Sequence, residues 1–444
     1  MMASRAASSS GVFPMTFEQE SMWLDDHLDS RPSRYLESWV YRLRGKLDVG
    51  AVRWAIARIV DRHEVLRSRM ILEEDRLLQV VQPPPGDVGL CELSCPAGQF
   101  EAELTRLVRQ PIDLESSPMR PILLRLASDD SVLVIQFHHI VVDDWALAVF
   151  DREFAEYYLA RVDSRPARLK PLPLQIGEYA QLQRSAGIDP GDLRYWRDRL
   201  RDAPVVNAVP HDRPRPAEPS YQGGRVEFGI DADLASMVRQ ESRSWRTTPF
   251  TVFAAALAVL VCAYTGAPEV IVSTPVSRRG TASLDQMIGC LTDLMPLRIA
   301  VAPGDRFADV VARAKLSVLE AIAHRAVPYP VIVRLAGSGR MPAQLGQSVI
   351  VVGDAPRDPF RLPGISAERI YVPSGMSKFD ICTTLVNTGQ QYSGFLDYAS
   401  ELYDRASAER VGRDYQMTLL TGLTDQEVPI LAAIAGCVRA TRDG

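Results

Sequence analysis

Apolar positions along the chain follow two periods. Trp39, Tyr41 and Leu43 recur at every second position, as in a half-buried strand that Gly45 closes. Val52, Ala55, Ile56, Ile59 and Val60 then follow the i, i+3, i+4, i+7 spacing of a helix. Residues 131–137, SVLVIQF, form a short β-branched apolar run that suits a buried strand. Leu147, Phe150, Phe154, Tyr157 and Tyr158 make a helical stripe, so the intervening HHIVVDD is a strand-to-helix loop. The stretches DSRPARLKPLP and AVPHDRPRPAEPSYQGG, rich in Pro, Gly and charge, read as a boundary. Beyond them Thr248 and Pro249 fit the N-cap and first position of a helix. That helix is apolar almost all round over 250–264 and ends at Gly266. EVIVSTPVS predicts a strand, Phe307, Val310, Val311, Ala314 and Val318 one helix face, and FDICTTLV with YSGFLDYA a hairpin around NTGQQ.

These elements predict an α/β protein. With 444 residues the chain is long for one core. The expected organisation is a disordered leader (1–14), a first lobe (15–180), a linker region (181–224) and a second lobe (225–444). The leader lacks the apolar segment of a secretory signal. No run of 18 apolar residues predicts a membrane span. A net charge of -5 argues against nucleic-acid binding. The six cysteines are scattered, with Cys91 and Cys95 the only close pair, so they read as reduced thiols of a cytoplasmic protein with no metal site. Walker A, GxSxG and HExxH motifs are all missing, which leaves nucleotide-cradling and serine-hydrolase readings without support.

FHHIVVDDWALAVF, 137–150, admits three readings. Asp143 or Asp144 can cap the following helix while His138 and His139 close the strand. His139 and Asp143 can ligate a metal, although no third ligand stands nearby. Or an imidazole, with its pKa of about 6.5, can act as a base at neutral pH.

The chain resembles the condensation domains of nonribosomal peptide synthetases, in the chloramphenicol acetyltransferase-like superfamily. His138, His139 and Asp143 fit the HHxxxDG signature. TFEQESMW (16–23) is similar to S-x-A-Q-x-R-L-W, with Ser21 at the usual arginine. RHEVLRSRM (62–70) matches R-H-E-x-L-R-T-x-F, and IGEYAQL (176–182) and YWRDRL (195–200) fit the segments leading to the second lobe. VSTPVSRR (272–279) places Arg279 at the arginine of P-V-A-G-R. MIGCLTDLMPLR (287–298) resembles I-G-x-F-V-N-T-L-P-L-R, and HRAVPY (324–329) partly matches H-Q-D-V-P-F.

The resemblance implies two acetyltransferase-like lobes forming a V-shaped pseudodimer, with the active site and a tunnel at their junction. It implies a catalyst that joins a carrier-bound acyl or aminoacyl thioester to an amine, free or carrier-bound; the start at Met and the end soon after the last predicted helix read as a free-standing protein, with an excised domain as the alternative, and the two-lobe design as a monomer. No cofactor of its own is implied, since the donor rides the phosphopantetheine arm of a carrier protein. His139 is the expected catalytic group with His138 beside it, and Asp143 is the expected structural partner of Arg279 across the lobe interface. Two positions depart from the pattern: Asp144 replaces the signature glycine, and Asp293 stands where asparagine is usual. Both become acceptor-side candidates. Ester formation by an O-acyl transferase of the same superfamily, and a non-catalytic recruitment module, are the alternatives.

Overall fold

The computed structural model describes residues 11–27, 33–337, 345–354 and 360–440. The chain divides into two compact units, and neither is a continuous stretch. The first comprises Met1–Gly187, Ser277–Thr292 and Arg357–Ser374, and the second Ile188–Val276, Asp293–Pro356 and Gly375–Gly444. The contiguous lobes expected from the sequence therefore need amending, because two later segments return to the first unit.

The first unit is built on a five-stranded sheet in the order Ile365–Arg369, Leu36–Gly45, Asp130–His138, Met119–Ala127, Cys91–Ser94. All neighbours are antiparallel except the last pair. Helices Val49–Arg62 and Asp144–Val162 cover one face, packing Ile56, Ile59 and Phe150 with Trp39, Tyr41, Leu43, Leu133, Ile135 and Phe137. Helix Phe100–Val108 covers the other, over Val40, Ile122, Val132 and Val134. Trp39, Tyr41 and Leu43 are buried on the face the alternation predicts, while on the other face Val40 enters its own core beside the part-exposed Ser38 and Arg42 and the exposed Arg44.

The second unit holds a six-stranded mixed sheet in the order Thr292–Ala300, Glu269–Ser277, Ser348–Asp354, Ile381–Asn387, Tyr392–Ala399, Gly223–Ile230. The last strands include the predicted hairpin, paired antiparallel. Helix Pro249–Thr265 begins at the Thr248 cap, ends at Gly266 with φ +72°, and is buried along nearly its whole length. Among the described residues no single helix is long and apolar enough to cross a membrane.

Two expectations at the chain's irregular stretches change. Residues 1–10 of the expected leader lie outside the described residues, but Val12–Pro14 is a strand paired with Arg76–Val81. The expected linker carries the end of helix Ile176–Ala186 and all of Pro190–Leu200. Its irregular part is anchored by the fully buried Asn207, whose Oδ1 accepts from Ile271 N at 2.7 Å and whose N donates to Gln347 Oε1 at 2.6 Å. Proline and charge break regular structure there, but backbone polar groups still find partners in the second unit.

Candidate functional site

The site grows from one strand end. In Asp130–His138 every residue after Asp130 is buried, because the strand lies mid-sheet with both faces covered. His138 is fully buried where the ladder ends. Its Nδ1 accepts from Ile140 N at 3.1 Å, so the ring proton belongs on Nε2, 2.7 Å from Asp26 Oδ2 and 3.2 Å from Ser33 Oγ. With both nitrogens engaged, His138 ties the turn to helix Phe17–His27. That geometry suits a positioning residue better than the catalytic role the motif suggests.

His139 begins the short turn His139–Val141, its N donating to Tyr35 O at 2.7 Å. Its side chain is about one-fifth exposed, at 19%. Nδ1 lies 3.6 Å from Cys290 Sγ, and Nε2 lies 3.8 Å from Glu37 Oε1.

Asp143 closes the loop. It is the N-cap of helix Asp144–Val162, its Oδ1 accepting from Ala146 N at 2.7 Å. Oδ2 accepts from Leu291 N at 2.9 Å and Thr292 Oγ1 at 3.3 Å. Arg279 Nη2 stands 3.2 and 3.5 Å from the two oxygens. The guanidinium is itself buried and donates to Leu284 O, Met287 O (2.8 Å) and Gly289 O (3.1 Å). This is the fork geometry that a lysine cannot supply. The expected pair therefore meets, but inside the first unit, because Ser277–Thr292 belongs to that unit.

Asp144 is not the cap; it is the exposed first residue of the helix, and its backbone is not in the left-handed region. Nothing in the local φ calls for glycine. Trp145 beside it is half-exposed and donates its indole N–H to Asp285 O at 2.9 Å. Asp293 lies in the second unit, buried, with Oδ2 accepting from Tyr329 N at 2.7 Å and Oδ1 from Leu294 N at 3.0 Å. Its charge holds the backbone of the HRAVPY segment.

Sequence reasoning missed Glu37, Cys290, Asp26 and a buried His63–Glu153 pair. His63 Nε2 lies 2.9 Å from Glu153 Oε2, Arg62 Nε donates to Glu153 Oε1 at 3.0 Å, and His63 Nδ1 accepts from Ile288 N at 3.2 Å. Burial pushes the His63 imidazole below its ordinary range, against the opposing pull of Glu153. Burial pushes the Glu153 carboxyl up, but the bonds and charges of His63 and Arg62 outweigh it and hold it low. The RHEVLR motif was legible as a motif, while its buried partner Glu153 carried no signal.

The family model described as Condensation domain matches residues 9–432. The chain is 31% identical over 425 residues to phosphinothricin tripeptide synthetase PhsC of Streptomyces viridochromogenes, covering 92% of this chain and 39% of that one. It spans well under half the length of the curated relatives it matches. Among solved structures it is similar to the X-domain from teicoplanin biosynthesis, with TM-score 0.88 and 26% identity over 96% of this chain and 98% of that one. It is also similar to the complex of the X-domain and OxyB, with TM-score 0.87 and 26% identity over 95% and 96%.

Proposed function

The chain belongs to the condensation domain family, and on that premise we propose that it forms an amide bond between a carrier-bound acyl or aminoacyl thioester and an amine. In this reading the amine nitrogen attacks the thioester carbon, the C–S bond breaks, and the thiol stays on the phosphopantetheine arm of the carrier protein. The arm supplies the activated acyl group, and the chain's residues supply orientation and proton handling. His139 is the catalytic residue, holding the amine by Nε2 and taking its proton. An α-amine has a pKa of about 7.7–8.0, so one transferred proton at neutral pH suffices to expose its lone pair. A thioester is already activated, so much of the acceleration comes from placing the two reactants together.

One observation carries this reading. The His139 ring is accessible while the loop bearing it is fixed on both sides, by His138 to Asp26 and by Asp143 to Arg279, Leu291 and Thr292. A base held in this way keeps its geometry without substrate. The test is to incubate the protein with acyl-loaded carrier and a panel of amines and alcohols, reading products by mass spectrometry. Amide product that falls by about 10²–10⁴-fold in His139→Ala is expected; product formation indifferent to that change rules the role out.

The likeness to the X-domain, solved in complex with OxyB, favours a second reading as a recruitment module. That reading expects no product from any donor and acceptor pair, together with saturable binding of a partner protein.

A further inference from the structure

On its Nδ1 side the His139 ring meets a thiol. Cys290 Sγ lies 3.6 Å from Nδ1 and 3.9 Å from Thr292 O, and the residue is fully buried. Glu37, 3.8 Å from Nε2, and the Asp143–Arg279 pair stand around the same turn. We propose that Cys290 is a positioning residue: its thiol holds the His139 imidazole in the orientation from which Nε2 works. This rests on the condensation reading above and adds the group that backs its histidine.

The thiol is itself held in place. Residue 290 lies between two residues gripped by the Asp143–Arg279 pair. Gly289 O accepts from Arg279 Nη2 at 3.1 Å, and Leu291 N donates to Asp143 Oδ2 at 2.9 Å. Leu291 O in turn accepts from Arg278 N at 2.7 Å. Ile288 and Leu291 are buried in the first unit's core, and a Cβ on Gly289 would come within 2.9 Å of Ile176 Cδ1. Backbone packed this closely fixes the Cα of residue 290, and cysteine then has one rotatable bond between Cα and sulfur. His139 and Asp143 share one loop, which meets the Ser277–Thr292 segment at two successive residues, Cys290 and Leu291. Support of this kind keeps a reactive side chain at its working angle.

The chemistry of sulfur suits the task. A thiol can give a hydrogen to an imidazole nitrogen or receive one from it. The contact therefore persists when Nε2 takes a proton and the ring carries N–H on both sides. An alkyl group of similar volume fills the space but offers no dipole in either state. Buried cysteines commonly act as small apolar fillers, whereas this sulfur faces a ring nitrogen. Both residues interact with other groups as well, and neither needs to be unengaged for the contact to orient the ring. The stake is large, because a reacting group displaced by about 1 Å can lose about 10²-fold in rate.

The experiment follows the His139 ring by NMR in the intact protein carrying ¹³C,¹⁵N-histidine, with His139→Ala assigning the signal. Wild type, Cys290→Ser, Cys290→Ala and Cys290→Val are compared, with thermal unfolding as the folding control. Turnover with acyl-loaded carrier and amine is read on the same proteins. Cys290→Ala and Cys290→Val should shift the His139 Nδ1 resonance while the other histidines stay in place. Both should lower kcat by about tenfold with KM little changed. Cys290→Ser, which keeps a group able to donate and accept, should restore part of each effect. An unmoved Nδ1 resonance in folded Cys290→Ala, serine behaving no better than alanine, or valine matching wild type in kcat would overturn the assignment. The two readings fail separately. A shifted resonance with no product from wild type keeps the thiol–imidazole hold and removes the condensation reading. Product with kcat unchanged in Cys290→Ala keeps that reading and removes the positioning role.

Discussion

Arg279 shows how much one side chain can hold. Its guanidinium reaches three backbone carbonyls and the Asp143 carboxylate while almost fully buried, and its Nε has no acceptor among the described residues. Removing it leaves a buried carboxylate short of its cation, a change that typically costs about 3–5 kcal/mol. Arg279→Ala should therefore lower the denaturant midpoint sharply, and Arg279→Lys should recover only part, because an ammonium cannot fan over the same acceptors. A midpoint unchanged by either substitution would show the pair to be dispensable. Asp144 carries a smaller share. As an exposed acid in the first turn it favours the helix N-terminus by about 0.3–1 kcal/mol, and glycine adds roughly 0.3 kcal/mol of helix cost over aspartate. Asp144→Gly should thus destabilise by about 0.5–1.5 kcal/mol in urea unfolding at low salt, less as salt rises; a stabilised variant would refute this. His139, Asp143 and Arg279 were legible through the family resemblance, because each sits in a short motif that can be matched segment by segment. Glu37 and Asp26 escaped because each meets its histidine only through pairings about a hundred residues apart, which no local pattern encodes.

At the scale of elements, Ser277–Thr292 acts as a strap laid on the first unit. Arg278 meets Glu18 at 2.7 Å, Arg279 meets Asp143, Trp145 holds Asp285 O, and His63 holds Ile288 N. The last of these makes the strap sensitive to acid. The imidazole of His63 is depressed in the folded protein, so the unfolded chain binds its proton more readily. Its stabilising contribution is present above the unfolded value of about 6.5 and is lost as pH falls below it. Glu153, also depressed, adds a loss in the same direction at lower pH. Thermal unfolding from pH 7.5 to 5.5 should show the melting temperature falling. His63→Gln should be less stable by about 1–3 kcal/mol at pH 7.5 and show a shallower fall; equal slopes would place the acid sensitivity elsewhere. Most helices and strands here were predictable, since apolar period and caps are local properties. The strand Val12–Pro14 was not: three residues carry too little period, and its existence depends on the partner Arg76–Val81.

For the whole molecule, the two-unit division was legible and its interleaving was not. Proline-rich composition marks where regular structure stops, but it does not reveal which unit a later segment rejoins. A fragment ending at residue 224, which the sequence alone would nominate as the first lobe with its linker, lacks both the strap and Ile365–Arg369. That strand pairs with Leu36–Gly45 over five register positions. We expect the fragment to lack a cooperative unfolding transition by circular dichroism, and a sharp transition would show the returning segments to be dispensable. The same interleaving has a consequence for biosynthesis. The first unit's opening stretch ends at Gly187, yet its last segment ends only at Ser374. At about 5–20 residues per second, a ribosome needs roughly 10–40 seconds to cover that interval. Throughout it the nascent chain carries Leu36–Gly45 as an open strand edge, and until Arg279 is made it also carries the Asp143 carboxylate without its cation. The first unit begins first and finishes late, and a chaperone or a slow codon acting between those points would decide how much of it arrives intact.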